Sequence, residues 1–211
     1  MQTIFLRRAA FFGNFRPNRH SRTQTKQPGE VVLQTLLTLS GLIDRLNRYA
    51  AVIAAALVLT SCMISAGNAG MRYLFSMSSN AWLEIQWQMF AGIFLLGAPF
   101  VLQKNEHVRV DLLYAAYSDR GKLWLDILGV IFFLLPATLL IAWMGWGFFL
   151  SAFESGERSS NAGGLILWPV KLLMPVGFAL LALQGLSELI KRIAALQGLH
   201  KIDLSYEKPL Q

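Results

Sequence analysis

The densest set of reactive side chains lies in "KNEHVRVD", residues 104–111, which holds Lys104, Glu106, His107, Arg109 and Asp111. On a helix, His107 and Asp111 share a face at i,i+4 spacing, and Arg109 points elsewhere. An imidazole beside a carboxylate can ligate a metal or move a proton. A metal site, however, usually needs three or four protein ligands, and the other histidines, His20 and His200, lie in the terminal segments. No nucleophile with a partnered base stands nearby. Lys104, Glu106, Arg109 and Asp111 cancel in charge, which suits a turn that pairs with itself or with a neighbouring protein. His107, Arg109 and Asp111 are therefore read as a docking loop.

A second set is sparser and more telling. Asn68, Arg72, Glu84, Gln88 and Lys171 interrupt sequence that is otherwise strongly apolar. Glu84 and Gln88 share a face, and the spacing allows all five to gather at one end of a helical bundle. Ionisable groups in such surroundings are costly and need partners. The expectation is an interhelical polar network in which Glu84 pairs with Lys171 or Arg72. The alternative is that both cations reach outward to headgroups while Glu84 faces water.

The remaining chemistry is meagre. Cys62 is the only cysteine, which excludes a disulfide or a thiolate metal site within one chain, and it reads as a small core hydrophobe. All three histidines fall outside the apolar runs, against a haem between helices. Neither a His-Glu-x-x-His nor a nucleophile-elbow motif occurs. No catalytic, cofactor or metal residue is assigned.

The elements that must position these residues are membrane helices. The 211 residues are 55% hydrophobic and 15% charged, where a soluble domain carries about a quarter charged. Four segments reach the roughly 20 apolar residues that a bilayer crossing needs: residues 49–74, 82–102, 125–150 and 165–190. They are helical because an open strand in lipid leaves backbone groups unpaired. The formal charge of +7 does not indicate nucleic acid, since the excess sits ahead of Glu30. Of the 19 lysines and arginines, only Arg72, Arg158 and Lys171 fall on or near the face opposite to both termini. Positive residues favour the cytoplasm, so both termini are expected there.

The expected organisation is an all-α membrane domain over residues 47–193, with four transmembrane helices. A disordered basic tail precedes it over 1–30, and a cytoplasmic tail follows over 194–211. An organellar transit peptide is a second reading of the acid-free start. Between them, residues 31–46 place Val32, Leu36, Leu39 and Ile43 at helical spacing. That pattern suggests an amphipathic helix on the membrane surface or an extension of the first crossing. Small residues, among them Ser65, Gly70, Gly92, Gly97, Gly145 and Gly147, allow close helix approach. Trp143, Trp146, Phe148 and Phe149 face either lipid or a partner.

"LEIQW", "GIFLLGA" and "EHVRVD" in that order, with the later "SNAGGLILWPVKLLMPVGFALLALQGLSELIKR", resemble the small permease subunit of TRAP transporters, the tripartite ATP-independent periplasmic carriers. The likeness covers about residues 46–192. It rests on Glu84, on Leu96, Gly97 and Ala98, on His107 and Asp111, and on Pro175, Gly177 and Phe178. It implies a multi-pass protein of the bacterial inner membrane with two protein partners, a large permease subunit and a periplasmic solute-binding protein. It further implies uptake of a carboxylate-bearing solute on an ion gradient, with any sodium held by the large subunit. In that setting the loop 151–164, read as flexible and polar, offers Glu154 and Glu157 as contacts for the periplasmic protein. The competing reading is a self-sufficient four-helix transporter centred on Glu84.

Overall fold

A computed structural model describes residues 28–105 and 117–199. Its core is four long helices: α1 (Pro28–Phe75), α2 (Asn80–Lys104), α3 (Asp119–Glu154) and α4 (Trp168–Leu196). Each is long and apolar enough to cross a membrane. The last three start and stop near the expected crossings, and α1 stops at the expected place but starts well before it. That helix runs unbroken for 48 residues, about 72 Å at the α-helical rise. Residues 31–46 thus belong to the same unbroken helix as residues 49–74, and they contribute Ser40 and Ile43 to the buried surface.

Local chemistry sets the ends. Asn105, at φ 60°, terminates α2 in the left-handed conformation and donates its N–H to the Leu102 carbonyl; asparagine tolerates this region better than most residues. Ser118 caps α3, its hydroxyl accepting from the Gly121 N–H at 3.3 Å, which meets one of the orphan donors of the first turn.

Inside α3, residues Val130–Leu134 widen into a π-helical turn just ahead of Pro136. Proline lacks the N–H and its ring crowds the carbonyl four residues earlier. A π-bulge relieves that conflict without ending the helix. The Thr138 hydroxyl donates to the Leu134 carbonyl at 2.7 Å. The bulge also aims Leu134 at Gly185 of α4, where a β-carbon would collide with its δ-methyl.

α4 is the hub. It touches the other three helices, whereas α3 packs chiefly on α4. Helix association in lipid depends on close packing and interhelical hydrogen bonds rather than on apolar burial, and α4 supplies both. At Gly177 a β-carbon would stand 2.7 Å from the Leu95 β-carbon and 2.9 Å from its carbonyl oxygen, so α2 and α4 meet there backbone to backbone. Gly92 approaches Leu57 of α1, and Gly145 approaches Pro175 of α4; among the described residues, a β-carbon on Gly70, Gly97 or Gly147 would meet nothing within contact range. Cys62 is exposed on the bundle surface rather than in its core. Phe149 is buried, while Trp143 stays 81% exposed.

Candidate functional site: a polar ladder and an unpartnered carboxylate

The helices run antiparallel in sequence order, so the α1–α2 turn and the α3–α4 loop share one end. This is the outer end of the expected topology. The early residues of α1, the end of α2, the start of α3 and the end of α4 share the other. Polar side chains collect at both ends, with different outcomes.

At the inner end, α1 presents Ser40, Asp44 and Asn47, about one turn apart on one stripe. α4 answers with Gln184, Ser187, Glu188, Lys191 and Arg192. Ser40 and Ser187 share a hydrogen bond at 2.7 Å. The Asn47 amide donates to the Gln184 carbonyl oxygen at 2.7 Å, and the Gln184 amide donates to Asp44 at 3.0 Å and to Glu188 at 3.2 Å. Lys191 bridges Asp44 at 2.7 Å and Glu188 at 2.9 Å. Arg192 donates to Glu188 in its own helix and to Asp126 of α3 at 3.0 Å. Asn47, Gln184 and Ser187 have no measurable exposure. One continuous network therefore joins three helices, and most of its buried polar atoms are matched, as desolvation requires.

This ladder was not legible as a network. Each member sits near a predicted membrane boundary, where a charged or polar residue normally reads as solvated. The available signal was the i, i+4, i+7 spacing of Ser40, Asp44 and Asn47 facing Gln184, Ser187, Glu188 and Lys191 in an antiparallel partner.

At the outer end the expected five-residue network does not assemble. Lys171 forms its ion pair with Glu157 of the outer loop, not with Glu84, and lies over the Phe148 ring at 4.0 Å from its centroid. Arg72 ends α1 with an exposed side chain, and Asn68 is half-buried beside a groove between α1 and α2. Gln88 donates to the Ile166 carbonyl at 3.4 Å. The reason is geometric: the outer loop folds back over α2 and delivers its own acid to Lys171.

That loop is an ordered hairpin rather than a slack connector. Ser159 N–H donates to the Leu165 carbonyl at 2.8 Å, Leu167 N–H to the Glu157 carbonyl at 3.1 Å, and the Arg158 guanidinium to the Gly164 carbonyl at 3.3 Å. Glu154 remains exposed. Glu157, with its side chain 40% exposed, is engaged by Lys171.

Glu84 is left alone. It is 6% exposed, and neither carboxylate oxygen has a hydrogen-bond partner among the described residues. Gly163 of the hairpin lies directly on it; a β-carbon there would collide with the Glu84 carboxylate and stand 2.8 Å from the Ala81 Cα. Beside it opens a cavity of about 210 Å³ walled by Glu84, Trp87, Gln88, Asn161, Leu167 and neighbouring residues. His107, Arg109 and Asp111 lie outside the described residues. Among the described residues, no group of three or more His, Cys, Asp or Glu side chains could hold a metal ion.

Four long apolar helices joined by buried polar contacts define a multi-pass membrane protein. The family model for the DctQ component of tripartite ATP-independent periplasmic transporters matches residues 61–195. The chain belongs to that family: it is the small, non-enzymatic component of a tripartite transporter in the inner membrane, a system that also contains a large permease and a periplasmic binding protein. Neither the curated proteins nor the solved structures compared with it provide a match. The matched range begins within α1, so Gln184 to Arg192 fall inside it, and Ser40, Asp44 and Asn47 outside.

Proposed function

We propose that this chain is an accessory scaffold that seats the large permease subunit in the membrane and carries no solute path of its own. Both termini face the cytoplasm. The system it serves takes up a carboxylate-bearing solute, delivered by the binding protein and driven by an ion gradient held on the large subunit. His107, Arg109 and Asp111 dock the large subunit on the cytoplasmic side, and Glu154 offers a periplasmic contact.

The observation that carries this reading is the ladder between α1 and α4. Asn47 and Gln184, both without measurable exposure, are spent on each other and on Asp44 and Glu188. A solute or ion pathway needs polar groups that face a water-filled cavity; here they clamp helices together. A bundle whose buried polarity is used to fix its own shape is suited to holding a larger neighbour in register.

The test is reconstitution. Proteoliposomes that hold this chain, the large subunit and the binding protein together accumulate solute, and omitting this chain abolishes uptake. Vesicles holding this chain alone show no uptake. Solute flux through the lone chain, abolished by Glu84→Gln, would establish the self-sufficient transporter instead.

A further inference from the structure

The outer-end carboxylate is a problem that the described residues of this chain do not solve. A carboxylate buried without hydrogen bonds or a counter-charge is strongly disfavoured, and membrane surroundings aggravate the cost. The nearby cations are committed or turned away: Lys171 to Glu157, Arg158 to the Gly164 carbonyl, and Arg72 to the exposed end of α1. We propose that Glu84 and its cavity form the socket for a lysine or arginine side chain of the large permease subunit, entering near the outer membrane surface. This rests on the scaffold reading.

Three features specify that guest. The cavity, about 210 Å³, equals about seven liquid-water volumes, which is room for one long basic side chain. Its walls are mixed: Leu167 and Val170 suit a methylene stem, the Gln88 and Asn161 side-chain oxygens suit N–H donors, and Trp87 offers a ring face for a cation. A hard metal cation would instead want a shell of six or more oxygens, which a wall with tryptophan, leucine and valine does not supply. Trp87 also fixes the direction of approach. It is 67% exposed and lies about 10 Å along α2 from its start, on the side of the bundle. A neighbour within the membrane can reach it there, and a soluble protein resting on the end of the bundle cannot.

The cover over the socket is light. Gly163 contributes backbone only, and no hairpin group bonds to the carboxylate. The hairpin can therefore shift to admit a guest without breaking a bond to Glu84.

The decisive property is a split between stability and assembly. Full-length wild-type chain, Glu84→Gln and Glu84→Asp are each purified alone in detergent, and each is also co-expressed with the cognate large subunit and captured through a tag on the small chain. Glu84→Gln is expected to melt at or above the wild-type temperature when alone, yet to retain at least tenfold less large subunit. Glu84→Asp recovers most of the capture. Equal capture by wild type and Glu84→Gln overturns the socket, as does a parallel loss of melting temperature and capture, which would make Glu84 a structural residue of this chain. A sodium-dependent rise in melting temperature, absent in choline chloride and absent from Glu84→Gln, assigns the cavity to a metal cation and also overturns it. Failure of the wild-type chain to capture the large subunit would instead sink the scaffold reading itself.

Discussion

The two ends of the bundle solve the same problem in opposite ways. At the inner end, Asp44, Asp126 and Glu188 are buried or nearly so, and each is met by Lys191, Arg192 or the Gln184 amide. At the outer end Glu84 is as deeply buried as Glu188 and has no hydrogen-bond partner among the described residues. The difference lies in where the counter-charge comes from. The inner network draws on three helices of one chain and closes on itself. The outer hairpin diverts Lys171 to Glu157 and leaves a carboxylate behind. Burial therefore does not define a polar residue's role; the completeness of its partner set does. A complete set fixes a fold, and an incomplete one points outside the chain.

Substitutions can break or sharpen that contrast. The largest effect is expected from Arg192→Met, which removes the cation that Glu188 and Asp126 share; removing one partner of a buried ion pair costs at most about 3–5 kcal/mol, and Lys191 still holds Glu188. Thermal unfolding in detergent should show a steep fall in melting temperature, and a wild-type-like melt would mean the inner charges are hydrated rather than paired. Next comes Gln184→Leu. It strands Asn47, whose side-chain oxygen already lacks a partner, and should cost about 2 kcal/mol by the same measurement.

Gly163→Val tests the outer end sterically. Any side chain must displace the Glu84 carboxylate or the α2 backbone at Ala81, an overpacking cost of about 1–3 kcal/mol. Combining it with Glu84→Ala should recover part of that loss, because one of the two obstacles is gone; strict additivity would show that the hairpin does not rest on Glu84. Lys171→Met should cost less than about 1 kcal/mol, the scale of partly exposed ion pairs, since Glu157 can turn to water. The smallest effect belongs to Ser40→Ala, about 0.6 kcal/mol, the mean for interhelical bonds in membranes. Ser187→Ala should cost more, because its hydroxyl also donates to Asp44 at 2.9 Å, and the double variant should be no worse than Ser187→Ala alone.

Much of this protein is legible along the chain because lipid imposes a simple rule. A run of about 20 mostly apolar residues crosses as a helix, so the four crossings and the three connections between them follow from composition and length. The motifs around Glu84, Leu96–Ala98 and Pro175–Phe178 carry the family resemblance, and the family match rests on the same stretch. Helix limits were less legible at α1, whose continuous helix starts well before the expected crossing at residue 49.

Pairing was what the tertiary structure decided. Periodicity says which residues share a face of one helix, but not which helix that face meets. The Asn47–Gln184 contact was concealed because two amides near a membrane boundary leave no charge signature. The Glu84–Lys171 pair looked natural from spacing alone, yet the backbone path of residues 157–167 brings Glu157 to Lys171 and sets Gly163 over Glu84. Chain composition fixed that helices form and cross; three-dimensional packing fixed which polar groups are satisfied, since a hydrogen bond depends on separations of about 3 Å that no one-dimensional pattern encodes.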